Sequence, residues 1–376
     1  MYIKFFHAIW DLAGPLEEYI RALPRRPVCL VADASSPWTA PVCGRLGIPR
    51  LVMHFPSAYF QLAVHCLTTY GVYDRVDEME PFVVPGFPVR AVGSKATIRG
   101  FFQYPGVEKE QQDVLDAEAT ADGLVFNTFR GIEGTFLDAY AAALGKKTWS
   151  VGPTCASSSM VDDVESKAGR GKPADVDAEH IVSWLDARAP ASLAELARGL
   201  EASRRPFVWA IKEAKTDAAV RALLDDEGFE ARVQDRALRA RVGAAEALSL
   251  GVPALTWPTM ADQFCSEKLL VDVLKVGVRS GVKIPAMYVH LPKKAEGVQV
   301  TSGDVEKAIA ELMGDEPEAA ARRTKAKEIA TEARTAMQEG GSSHSDLTDL
   351  ISYVSELSRK RGHENSTVLP SAVAKL

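Results

Sequence analysis

The stretch Gly251-Val252-Pro253-Ala254-Leu255-Thr256-Trp257-Pro258-Thr259-Met260-Ala261-Asp262-Gln263 constrains this chain more than any other. Val252 to Thr256 is a short apolar run of the kind buried in a parallel sheet. Pro258 ends it, because proline gives no N–H to a ladder and holds Trp257 extended. Phe264, Leu269, Leu270, Val273 and Leu274 then recur at helical spacing. Asp262 and Gln263 therefore sit where a strand hands over to a helix, the place where open α/β sheets bind ligands. An ionised Asp only accepts hydrogen bonds, whereas Gln donates and accepts. Such a pair suits the vicinal hydroxyls of a sugar. The competing reading is a capping box, Thr259-x-x-Asp262, which needs no ligand.

Alternating strand and helix signals extend the α/β reading through the first half. Val28–Ala32, Arg50–Phe55, Gly123–Phe126 and Thr148–Val151 read as strands, with a helix through Ile132, Phe136, Leu137 and Tyr140. Cys155–Asp177 is rich in Ser, Gly, Lys and Asp without periodicity and reads as a linker. In the second half, Phe207–Ile211 reads as a strand. Val305, Ile309 and Leu312 align on a helix capped near Thr301, and a last helix runs over Asp346–Leu357.

At 376 residues two domains are expected. A net charge of −6 argues against a nucleic-acid partner, whose binding rests on clustered Lys and Arg. No apolar run reaches the roughly 18 residues of a membrane span, and His7, Asp11 and Gly14 interrupt any signal-peptide core. The five cysteines are scattered, with no C-x-x-C pair, so neither a disulfide framework nor a zinc site is expected. The expected location is cytoplasmic.

Glu246, Gly251-Val252-Pro253, Trp257-Pro258 and Ala261-Asp262-Gln263 resemble the closing half of the signature box of plant family 1 UDP-glycosyltransferases. The match runs on through Phe264, Glu267, Leu269, Leu270, Val271, Val273, Leu274, Val276, Gly277 and Val278. The resemblance implies two facing Rossmann-like domains (the GT-B type), both incomplete here. It places an acceptor-binding domain at 1–153 and a linker at 154–178. A UDP-sugar-binding domain follows at 179–345, and a crossing helix and tail at 346–376.

It further implies glucose transfer from UDP-glucose to a hydroxyl of a small flavonoid, phenolic or terpenoid acceptor, with inversion and without a metal. Glu246 would hold the ribose, Asp262 and Gln263 the sugar hydroxyls, and Trp257 would shape the sugar pocket or fill the core. Asp33, after a buried strand, would orient a histidine base; an ordinary N-cap is its alternative. His7 reads as a surface or packing histidine, which leaves that base without a counterpart.

The chain also departs from the pattern. Where the box reads His-Cys-Gly-Trp-Asn-Ser, this chain has Leu238, Arg239, Ala240, Arg241, Val242 and Gly243. The Trp-Ala-Pro-Gln that opens the box is missing, and so is a strand ending in Phe-Gly-Ser, where Ala191-Ser192 runs straight into a helix. A catalytically inactive remnant, or an incomplete gene model, is the competing expectation.

Overall fold

The computed structural model describes residues 2–154, 198–203, 207–209, 237–239, 248–260, 262–285 and 299–367. The chain divides into two compact units. One is Met1–Cys66 with Arg99–Thr154 and Thr335–Leu376; the other is Leu67–Ile98 with Cys155–Arg334.

The first unit is built on a parallel sheet of β1 (Leu30–Asp33), β2 (Arg50–His54), β5 (Gly123–Phe126) and β6 (Thr148–Ser150), in the order β1-β2-β5-β6. Every residue of β5 is buried, as expected of an interior strand covered on both faces. Helices α1 (Tyr2–Trp10) and α2 (Ala13–Ala22) precede β1, and α3 (Thr39–Leu46), α4 (Ala58–Thr69), α5 (Glu108–Ala119) and α6 (Arg130–Leu144) intervene between strands. The α6 pattern read from the sequence holds: Phe136, Leu137 and Tyr140 are buried. Gly145 ends α6 at φ 62°, a left-handed cap that favours glycine.

Helix α10 (Ser342–Thr367) packs on β6. Leu350 and Val354 enter one core with Leu51, Val125 and Trp149. Polar bonds fix its angle. Trp149 Nε1 and Lys147 Nζ donate to Asp349 Oδ2 at 2.8 and 3.1 Å, and the Ser150 N–H and hydroxyl donate to Asp346 at 2.9 and 2.7 Å. Arg361 pairs with Asp122 at 2.5 Å.

A buried polar cluster lies across β2, α5 and α6. His54 Nε2 is 2.9 Å from Glu118 Oε1, and the Tyr140 hydroxyl donates to the same oxygen at 2.8 Å. Burial alone would raise the Glu118 carboxyl, but the His54 and Tyr140 hydrogen bonds hold it below its ordinary value. A carboxylate held low in the fold contributes stability above its unfolded pKa, and that contribution is lost as pH falls through the folded value. Urea unfolding from about pH 6 down to pH 3 is expected to show this loss, with a shallower decline in Glu118→Gln. An unchanged slope in the variant counts against the cluster.

In the second unit β3 (Phe82–Val83) pairs antiparallel with β4 (Val92–Gly93), and β7 (Phe207–Trp209) pairs parallel with β8 (Ala237–Arg239). Parallel β9 (Ala254–Thr256) and β10 (Gly277–Arg279) are joined by α7 (Gln263–Lys268) and a π-helical turn at Leu269–Val273. Helix α8 (Ser302–Met313) packs on this pair through Ala308 and Leu312 against Val278. Its start is a complete capping box, Thr301 with Asp304. Helix α9 (Pro317–Met337) follows. Among the described residues no helix is long and apolar enough to cross a membrane.

Candidate functional site

The turn between β9 and α7 carries Trp257, Asp262 and Gln263. Gly251 opens the approach to it at φ 73°, and a Cβ there would lie 3.3 Å from Lys327 Cα and from Ala330 Cβ. Only glycine meets both demands without strain. Trp257 is half-buried and Pro258 buried behind it.

The capping box read from Thr259-x-x-Asp262 does not form. Asp262 occupies the N-cap, and its carbonyl accepts from Cys265 and Ser266 at 3.0 and 2.9 Å, but its side chain caps nothing. Gln263 does the local work instead. Its Oε1 accepts from Thr259 N and Oγ1 at 2.7 and 2.8 Å, and from Met260 N at 3.3 Å. One residue further along, Gln263 lies a full turn from Thr259 and reaches back over the loop, whereas the Asp262 side chain makes no bond to it.

Asp262 thus has no side-chain partner among the described residues. Burial raises its pKa above the ordinary carboxylate value, against a smaller lowering by its own N–H. A half-buried acid that no described residue neutralises is what a ligand's hydroxyls would satisfy. The neighbouring Cys265 is fully buried, and burial pushes its thiol up to about 12. It is not a nucleophile.

A buried network fixes this corner. Glu267 of α7 is 5% exposed; it accepts from Thr256 Oγ1 of β9 at 2.6 Å and from Arg279 Nε of β10 at 3.3 Å. Arg279 also pairs with Asp272 at 2.6 Å. One carboxylate therefore ties both strands to the helix that begins at Asp262. Glu267 belongs to the run that matches the family, but its role emerges only when β9 and β10 align beside α7.

In the first unit, Asp33 ends β1. Its Oδ1 accepts the Ser35 N–H at 2.6 Å, and its carbonyl accepts the Ser36 N–H at 2.9 Å. This is an Asx turn, not the helix cap weighed from the sequence, because α3 begins only at Thr39. Trp10 Nε1 donates to Ser35 O at 3.1 Å and packs α1 against the same turn. His7 is half-exposed and pairs with Glu110 at 2.9 Å. His54 is buried against Glu118, with its Nδ1 unpartnered. Glu246, His180 and His290 lie outside the described residues. Among the described residues no cluster of three or more His, Cys, Asp or Glu is arranged to hold a metal ion.

No family-wide sequence profile matches the chain. UDP-glycosyltransferase 1 of Barbarea vulgaris is 31% identical over 399 residues, spanning 95% of this chain and 80% of its own length. UDP-glycosyltransferase 73C5 of Arabidopsis thaliana is 33% identical over 398 residues, spanning 94% of this chain and 79% of its own. The 399-residue alignment is longer than the 376-residue chain, so it passes over residues of the relative that have no counterpart here.

Among solved structures, Glycyrrhiza uralensis UGT73P12, complexed with glycyrrhetinic acid 3-O-monoglucuronide, matches at a TM-score of 0.77 and 27% identity. It covers 97% of this chain and 80% of that one. TcCGT1 in complex with UDP matches at 0.66 and 21% identity, covering 95% and 83%. These likenesses show the GT-B fold.

Proposed function

Since the chain belongs to the plant UDP-glycosyltransferase family, we propose that it moves glucose from UDP-glucose to a hydroxyl of a small lipophilic acceptor with inversion. Flavonoids, phenolics and terpenoids are the acceptor class. The observation that carries this reading is the carboxylate of Asp262, half-buried at a strand-to-helix handover with no side-chain partner among the described residues. A sugar's vicinal hydroxyls supply the donors it lacks. Gln263 would add a hydrogen bond from its amide nitrogen, since only its oxygen is engaged by the loop. Trp257 would wall the sugar, Glu246 would hold the ribose, and Asp33 would orient the base. The acceptor class is supported by solved relatives: one holds glycyrrhetinic acid 3-O-monoglucuronide, and Phytolacca americana UGT2 holds UDP-2fluoro-glucose with pterostilbene.

One observation favours a non-catalytic reading. Leu238 and Arg239, which fall where the family's box offers diphosphate contacts, lie in β8 and pair with Val208 and Trp209 of β7. Backbone groups committed to a ladder are not free to cradle phosphate. The same protein would then bind a UDP-sugar weakly or an acceptor alone. Incubating the purified chain with UDP-glucose and a panel of flavonols decides between the two. Glucosides detected by mass spectrometry support transfer. Flavonol binding without glucosides supports the non-catalytic reading and overturns the first.

A further inference from the structure

The turn that carries Asp262 and Gln263 is held at two levels. At the outer one, Gln263 Oε1 gathers Thr259 N, Thr259 Oγ1 and Met260 N. At the inner one, four residues and about one helical turn further along α7, stands the buried Glu267. Both of its oxygens are engaged: Oε2 accepts from Thr256 Oγ1 at 2.6 Å, and Oε1 from Arg279 Nε at 3.3 Å. Thr256 is the buried last residue of β9, and its hydroxyl also lies 3.1 Å from Val278 O of β10. As a source of stability a buried ion pair is a poor choice, since well-packed apolar residues of similar volume often do as well or better. What it supplies here is a fixed distance from the end of the strand to the start of the helix.

We propose that Glu267 is a positioning residue for the donor sugar, and that its bond to Thr256 sets the chain's choice between UDP-glucose and its C4 epimer, UDP-galactose. The proposal rests on the reading that Asp262 and Gln263 take the sugar's hydroxyls. The two sugars differ only in the direction of one hydroxyl, so telling them apart requires polar groups held within about 0.5 Å of their working positions. A misplacement of about 1 Å costs on the order of 100-fold. Asp262 has no side-chain partner among the described residues, so its place follows that of α7. The Gln263 oxygen bonds only exposed loop residues, Thr259 and Met260. Glu267 instead bonds the sheet itself, at β9 through Thr256 and at β10 through Arg279. Without it, α7 and the pair at its start can slide against the strand that leads into them.

Transfer from each donor to a flavonol, measured on the full chain and its variants well below their melting temperatures, tests this through the ratio of the two kcat/KM values. A role in stability alone leaves that ratio where it was. The expected result is that Glu267→Leu and Thr256→Val each lower the preference for glucose at least about tenfold. The double variant lowers it no further, because both changes break the same bond. Thr256→Ser keeps the hydroxyl, and Asp272→Asn removes only the outer partner of Arg279, so both hold the ratio within about twofold. A ratio unmoved by Glu267→Leu and Thr256→Val overturns the proposal and leaves the sugar site standing. So does a ratio that Thr256→Ser lowers as far as Thr256→Val does. A wild-type chain that uses neither donor, or both alike, overturns the sugar site and the proposal with it. If Glu267→Leu fails to fold by circular dichroism, the two Thr256 variants decide alone.

Discussion

Asp262→Ala is expected to lower kcat/KM for UDP-glucose by about 100-fold or more without lowering the melting temperature. A hydrogen bond to a charged group is worth roughly 1.5–3 kcal/mol, and a carboxylate spanning two vicinal hydroxyls makes two of them. At about 1.4 kcal/mol per factor of ten, even the lower end reaches 100-fold. Stability should move the other way. No described residue bonds the Asp262 side chain, and burial holds its pKa above the ordinary value. A raised carboxyl favours the fold below its unfolded pKa and opposes it once pH passes the folded value. Near neutral pH the substitution therefore removes a small penalty. Gln263→Ala should behave differently, losing stability as Thr259 N, Thr259 Oγ1 and Met260 N lose their acceptor. Steady-state kinetics beside a thermal melt separate the two. A destabilised Asp262→Ala with undiminished turnover would assign that residue to the fold alone.

Trp149→Ala is expected to cost about 3–5 kcal/mol, the range for a buried aromatic reduced to alanine. The indole is 2% exposed and rests on Gly123, where even a Cβ would come within 2.4 Å of the ring. Besides packing in this cluster, its Nε1 hydrogen-bonds α10 through Asp349. Removing it opens a cavity between sheet and helix and takes one donor from that carboxylate. Against a typical net stability of about 5–15 kcal/mol, the loss is a large share. Urea titration followed by far-ultraviolet circular dichroism measures it. A loss under about 1 kcal/mol would be incompatible with α10 packed as described.

The strands of the first unit were legible because buried parallel strands are short apolar runs. Gly123–Phe126 was read to the residue, and Arg50–Phe55 and Thr148–Val151 each ran one residue past the observed ends. Val28–Ala32 starts two residues early and ends one early, since Val28 is apolar but lies before the ladder. The cap expected near Thr301 is present, as a complete capping box with Asp304. Thr259 misled: its pattern is the same, but the bond came from Gln263. What the sequence could not show are pairings set by the fold. Asp349 meets Trp149 across 200 positions, and Glu267 meets Thr256 and Arg279 only after β9 and β10 align. The last helix, read as Asp346–Leu357, runs over Ser342–Thr367, because polar residues extend a helix without adding to the periodicity that reveals it.

Docking α10 on β6 also decides what a protease can and cannot do to this chain. The second unit's stretch from Cys155 to Arg334 enters and leaves the first unit through covalent connections at both ends. A single cut anywhere between those positions produces two fragments, yet it does not release the C-terminal one. Residues 342–362 remain bound through Leu350, Val354, Asp346 and Asp349. The nicked protein should therefore run as one particle under native conditions and as two bands once denatured. Such a product offers a route to semisynthesis: the C-terminal piece can be exchanged for a labelled copy while the sheet that receives it stays folded.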